Sequence, residues 1–208
     1  MKLRTTSLAA VLAGVAAMTL PSGALAATSF PGSCPAPTLG QPYKSMGDSR
    51  WYELAPGGSF EAGAAGWTLQ TGATVAAGNE PWFLNAKVDQ SSLSLRPGAV
   101  ATSPAMCVDL NYPTFRLPVH ALDSQGQSDL DIEVRYPDGA DRSWKKVRTE
   151  SGKLHEGWRV TSDIDLKPDT FSGRWGQRRV NLRFTAKGKT GAPGWRIDDV
   201  FVDPRMRG

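Results

Sequence analysis

Residues Asp129–Tyr136 read DLDIEVRY. Leu130, Ile132, Val134 and Tyr136 take every second position, and Asp131, Glu133 and Arg135 fill the gaps. A period of two gives a β-strand with one buried face and one wet face. The same rhythm recurs on both sides. Leu93 and Leu95 alternate with Ser and Arg, Phe115, Leu117 and Val119 with Arg116, Pro118 and His120, and Val180, Leu182 and Phe184 with Arg179, Asn181 and Arg183. Turn residues separate the runs: Gly78-Asn79, Pro97-Gly98 and Pro137-Asp138-Gly139 among others. The 22 Gly and 15 Pro in 208 residues supply enough of them for a fold of many short strands. No segment shows amphipathic helical spacing.

These patterns predict an all-β chain: an antiparallel β-sandwich of about eight to ten strands. It occupies residues 59–208. Residues 27–58, rich in Pro, Gly and Ser, read as an extended N-terminal segment lying over it. Near the end, Trp195 and Ile197 share one parity whereas Val200 and Val202 share the other. The switch at Asp198-Asp199 predicts a β-bulge or a bend.

Residues 1–26 have a different character. Lys2 and Arg4 precede an apolar run from Leu8 to Leu20, Pro21 and Gly23 break it, and Ala24-Leu25-Ala26 fits a small-x-small cleavage site. This is the pattern of a secretory signal peptide, too short to span a bilayer, and no later segment is apolar enough to do so. The mature chain is expected outside the cell. Losing Lys2 and Arg4 lowers the formal charge from +4 to about +2, so no strong attraction to nucleic acid is indicated. The two cysteines, Cys34 and Cys107, suit one disulfide in an exported chain. Such a bridge closes a loop of about 74 residues, worth roughly 4 kcal/mol in chain entropy. No Cys-x-x-Cys is present, which argues against a redox enzyme or a zinc knuckle.

Two end motifs carry a resemblance. Gly57-Gly58-Ser59-Phe60-Glu61 followed by Gly66-Trp67, and Trp195-Arg196-Ile197-Asp198-Asp199-Val200, resemble the first and last strands of jelly-roll carbohydrate-binding modules. The whole chain also resembles small secreted actinobacterial proteins of unassigned activity, which share the FE…GW, ATSP…C, PTFR and IDDV…DP elements. The resemblance implies a jelly-roll, galactose-binding-like sandwich. It also implies a structural calcium ion held by Glu61 and Asp198, with Asp199 beside them. Calcium takes carboxylate and carbonyl oxygens in a flexible shell. Another reading has Glu61 and Asp198 pairing with Arg196 or capping loop amides.

In those modules the polar sheet face is a sugar cleft. The wet faces here collect Arg116, His120, Asp131, Glu133, Arg135, Asn181 and Arg183. By strand parity Trp175 joins them, whereas Phe115, Tyr136 and Phe184 point inward. Arg116, His120, Glu133, Arg135, Trp175 and Arg183 are therefore the candidate ligand-binding residues. Trp82, Trp144 and Trp158 fall in loops or at strand ends, where exposure decides between stacking on a sugar and anchoring the core. Basic residues cluster around Trp144 (Arg142, Lys145, Lys146, Arg148) and around Trp175 (Arg174, Arg178, Arg179).

No catalytic centre is expected. There is no Gly-x-Ser-x-Gly elbow, and the only histidines are His120 and His155. Asp129, Asp131 and Glu133 alternate on one strand face, as in some jelly-roll glycoside hydrolases, where the outer acids act as nucleophile and general acid. The sequence reading is a secreted, non-catalytic protein binding a glycan or cell-wall polymer. The alternatives are a structural or protein-interaction module, which would take a protein partner, and a glycoside hydrolase using Asp129 and Glu133.

Overall fold

The computed structural model describes residues 35–109, 114–122, 125–138, 142–154, 157–166 and 177–203. The signal-like segment, Cys34, His155 and Trp175 lie outside these residues. Sixteen strands, numbered β1 to β16 along the chain, form three antiparallel sheets among them.

The first sheet is built around the deciding stretch. Its central strands are β10 (Ser128–Arg135) and β14 (Gln177–Gly188). Beyond β10 lies β11 (Lys145–Ser151), and beyond β14 lie β6 (Val100–Thr102) and β3 (Thr68–Gln70). β7 (Met106–Asp109) pairs with the first half of β14. β10 alternates strictly between buried and half-buried positions, as its period-two sequence requires.

The second sheet runs β12 (Gly157–Val160), β9 (Pro118–Ala121), β15 (Trp195–Ile197), β5 (Ser91–Leu95) and β4 (Ala73–Ala77). The third runs β1 (Leu39–Gly40), β2 (Tyr52–Leu54), β16 (Phe201–Asp203), β8 (Thr114–Arg116) and β13 (Ile164–Asp165). Three short chain passages connect these two sheets, one of them residues 161–163 between β12 and β13. Leu117 alone separates β8 from β9, and Asp198–Val200 separate β15 from β16.

Apolar side chains of all three sheets share one core. Leu130, Ile132, Val134, Leu182 and Phe184 from the first pack in the same cluster as Leu93, Leu95, Val119, Trp195 and Ile197. Each is fully buried. Burial of one such side chain is worth about 1.5–3 kcal/mol, and this sandwiched layer is the main source of stability. The FE…GW motif closes one end of it. Phe60 meets Trp67 edge-on at 5.1 Å, and Trp67 stacks on Phe184 at 6.0 Å. The Trp67 indole N–H donates to the Pro56 carbonyl, so its polar end is satisfied. Gly194 lets β15 enter the core: a Cβ there would sit 1.9 Å from the Leu95 carbonyl oxygen. Tyr43, Tyr52 and Phe201 form a smaller cluster under the N-terminal strands, whereas Trp51 is exposed.

The parity switch takes the form of a bend. The chain leaves β15 at Ile197, Asp199 adopts φ +40°, and pairing resumes at Phe201 in the third sheet. The run Phe115–His120 is likewise split. Its apolar residues all face the core, but Arg116 ends in the third sheet and His120 in the second. No described cysteine is free.

Candidate functional site

The outer face of the first sheet holds a groove of about 590 Å³. Strand pairing decides what lines it. Glu133 lies opposite Arg183, Arg183 opposite Thr102, and Thr102 opposite Thr68. The neighbouring row runs Asp131, Thr185, Val100, Gln70. Each row crosses four strands, spanning roughly 14 Å at the usual strand spacing. Arg135 and Lys187 flank the rows, and Trp144 approaches from the segment before β11. The lining is mostly hydroxyl, amide and charged groups, with one aromatic ring.

Its charges are ordered by short contacts. Both carboxylate oxygens of Glu133 accept from Arg183, at 2.6 and 2.7 Å. This fork matches the planar guanidinium to the carboxylate. Asp131 accepts from the Thr149 hydroxyl at 2.6 Å and lies 3.4 Å from Lys146. The Trp144 ring carries two guanidinium carbons near its centroid, Arg183 at 4.3 Å and Arg135 at 4.6 Å. These cation–π contacts hold the half-buried indole at the groove. β10 and β11 also change register between Ile132 and Glu133, a bulge at the groove's edge.

Glu133, Arg135 and Arg183 are thus brought together. Arg116 and His120 are not with them. Arg116 donates to Asp48 at 2.8 Å and to the Thr161 carbonyl at 3.0 Å, and lies over Tyr43. It ties the N-terminal strands to β8, with Arg50 bridging Asp48 and Asp163 beside it. Those contacts hold the Asp48 carboxyl well below the usual carboxylate range, chiefly through hydrogen bonds from Arg50. His120 sits opposite Trp158 and Arg196, its ring 5.5 Å from the indole. Burial and the Arg196 charge push its pKa down. The sequence places Trp144 in a loop or at a strand end, open to stacking or to core anchoring, and it is not among the candidate ligand-binding residues. Its signal was the surrounding cluster of basic residues, two of which, Lys145 and Lys146, open β11.

A second polar cluster lies at the bend. Glu80, Asp89, Asp198 and Asp199 are all buried. Their oxygens cap the loop of residues 78–90. Glu80 accepts from the N–H groups of Trp82 and Leu84, and Asp198 from those of Glu80 and Asp199. Asp199 accepts from Asn85, and Asp89 from Ala86 and the Asn85 side chain. Burial, then the neighbouring Asp199 charge, pushes Asp198 up to about 9. Burial with the charges of Glu80 and Asp89 pushes Asp199 up to about 7. Glu61 is spent elsewhere, accepting from the N–H groups of Gln90 and Ser91 at 2.9 and 2.6 Å. Among the described residues no group of three or more His, Cys, Asp or Glu side chains is placed to hold a metal ion. One oxygen, Asp199 Oδ1, is buried without a hydrogen-bond partner.

No family model matches the sequence, and no curated protein does. Solved structures align with roughly 70% of it. The C-terminal family 22 carbohydrate binding module of Clostridium thermocellum Xyn10B is 15% identical over 69% of this chain and 89% of its own, with a TM-score of 0.45. The xylan-binding module CBM15 is 15% identical over 69% and 93%, at 0.44. The arabinose-bound α-L-arabinofuranosidase MgGH51 is 16% identical over 74% of this chain, which spans only 26% of that enzyme, at 0.47.

Proposed function

We propose that this chain is an exported, non-catalytic protein that binds a glycan or cell-wall polymer in the groove of the first sheet. The observation that supports this is the groove itself. Parallel rows of hydroxyl, amide and paired charged groups cross four strands beside the half-buried ring of Trp144. A sugar ligand needs that combination of directional hydrogen bonds and an apolar ring face. The bidentate Glu133–Arg183 pair supports binding over hydrolysis, because both oxygens of this carboxylate are occupied by a cation. Retention of the mature chain on a panel of insoluble polysaccharides and purified cell wall tests the reading. Salt-resistant retention on a glycan, lost in Trp144→Ala, is expected; retention on none of them overturns it.

A second reading, a protein-interaction module, is favoured by one feature. Trp82, Phe83 and Val88 are exposed together on the acid-capped loop, at 41%, 45% and 78%. Calcium at the bend is a separate proposal, supported by the unpartnered Asp199 Oδ1.

A further inference from the structure

The charges of the groove do not cancel. Glu133 is neutralised by Arg183, and Asp131 by Lys146. Arg135 and Lys187 also line the groove. Neither has an ion-pair partner among the described residues. Lys187 lies across the strand pair from Asp129 without closing to contact. The guanidinium of Arg135 makes one long hydrogen bond, 3.3 Å to Asn181, and its Nε is buried with no acceptor. A guanidinium presents five N–H donors, so most of this group's capacity is unused. The Trp144 ring at 4.6 Å shields it from water on one side, which strengthens its pull on an anion.

We propose that the groove selects glycans bearing carboxylates, that is, uronic-acid polymers, and that Arg135 receives the carboxylate with Lys187 adding to the field. This rests on the glycan-binding reading. A carboxylate is planar and suits the guanidinium fork, whereas a neutral sugar leaves the Arg135 charge uncompensated.

The test compares binding of the mature chain to a glucuronate-bearing xylan and to polygalacturonate, each before and after chemical reduction of its carboxyls to alcohols. The expected result is at least about tenfold tighter binding to one native polymer than to its reduced form. Arg135→Gln should abolish that preference while leaving binding to the reduced polymer. Lys44→Gln, an exposed change in the N-terminal segment and outside the groove lining, should leave the preference intact. Equal binding to native and reduced polymers overturns the carboxylate selectivity and leaves the glycan reading standing. An equal loss in Lys44→Gln and Arg135→Gln also overturns it, since attraction is then set by net charge. Binding to neither form of either polymer overturns the selectivity, and the wider glycan panel then decides the parent reading separately.

Discussion

Two sets of carboxylates in this molecule solve the same problem in opposite ways. Asp131 and Glu133 stand on a wet strand face and meet cationic side chains, Lys146 and Arg183. Glu80, Asp89, Asp198 and Asp199 are buried and meet main-chain N–H groups instead. Amide donors satisfy hydrogen bonds without supplying a full positive charge. Burial, uncompensated by a full positive charge, therefore raises Glu80, Asp198 and Asp199 above the ordinary carboxylate range, Asp198 to about 9. The groove uses acids as exchangeable surface chemistry. The bend uses them as structural pins, and both devices fall within one 208-residue chain.

Removing a pin should have the largest effect. Asp198→Ala strands the buried N–H groups of Glu80 and Asp199, and a loss of about 2–4 kcal/mol in urea unfolding is expected. Groove binding measured on the surviving folded fraction should not change; a parallel loss of binding would break the separation of the two regions.

The sign of the pH dependence comes next. The folded pKa values of Asp198 and Asp199 lie above their unfolded ones. Their contribution is therefore complete below about pH 4 and is lost as pH rises through about 7 and then 9. In EDTA the melting temperature should fall between pH 5 and 9, and Asp198→Asn should flatten the upper half. A calcium ion at the bend requires ionised carboxylates, so it would reverse this slope, and EDTA would lower the melting temperature at neutral pH.

Trp144→Ala bears on the groove alone. A loss of about tenfold in glycan affinity is expected by titration, with a stability change near 1 kcal/mol from its cation–π contacts. Equal affinity of variant and parent would remove the ring from the site.

The smallest effect belongs to Glu133→Gln. It breaks a partly exposed ion pair and should cost about 1 kcal/mol or less. Neither parent nor variant should release reducing sugar. Release by the parent that disappears in the variant would replace the binding reading with hydrolysis.

Much of the sandwich was legible because its strands are amphipathic. The alternation in Asp129–Tyr136 and Val180–Phe184 named the inward residues, and these are fully buried or nearly so. The same alternation put Glu133, Arg135 and Arg183 on wet faces, and strand pairing made them neighbours. It also put Arg116 and His120 on wet faces, where the structure finds both only partly buried, but in other sheets. Parity states which side of its own strand a residue takes and carries no information about which sheet that strand joins. Trp144 and Glu80 lie outside strands, so no period marks them. A glutamate in a loop reads as solvated until the fold closes over it.

The sequence by itself determined the all-β class, the inward set of core residues and the change of parity at Asp198-Asp199. These are local consequences of side-chain chemistry and a two-residue repeat. Only the tertiary structure decided that Glu133 meets Arg183, that Trp144 joins them, and that four acids gather at the bend. Those contacts join residues 50 or more positions apart, or reach in from loops, and they follow from strand order and register, which no local pattern encodes.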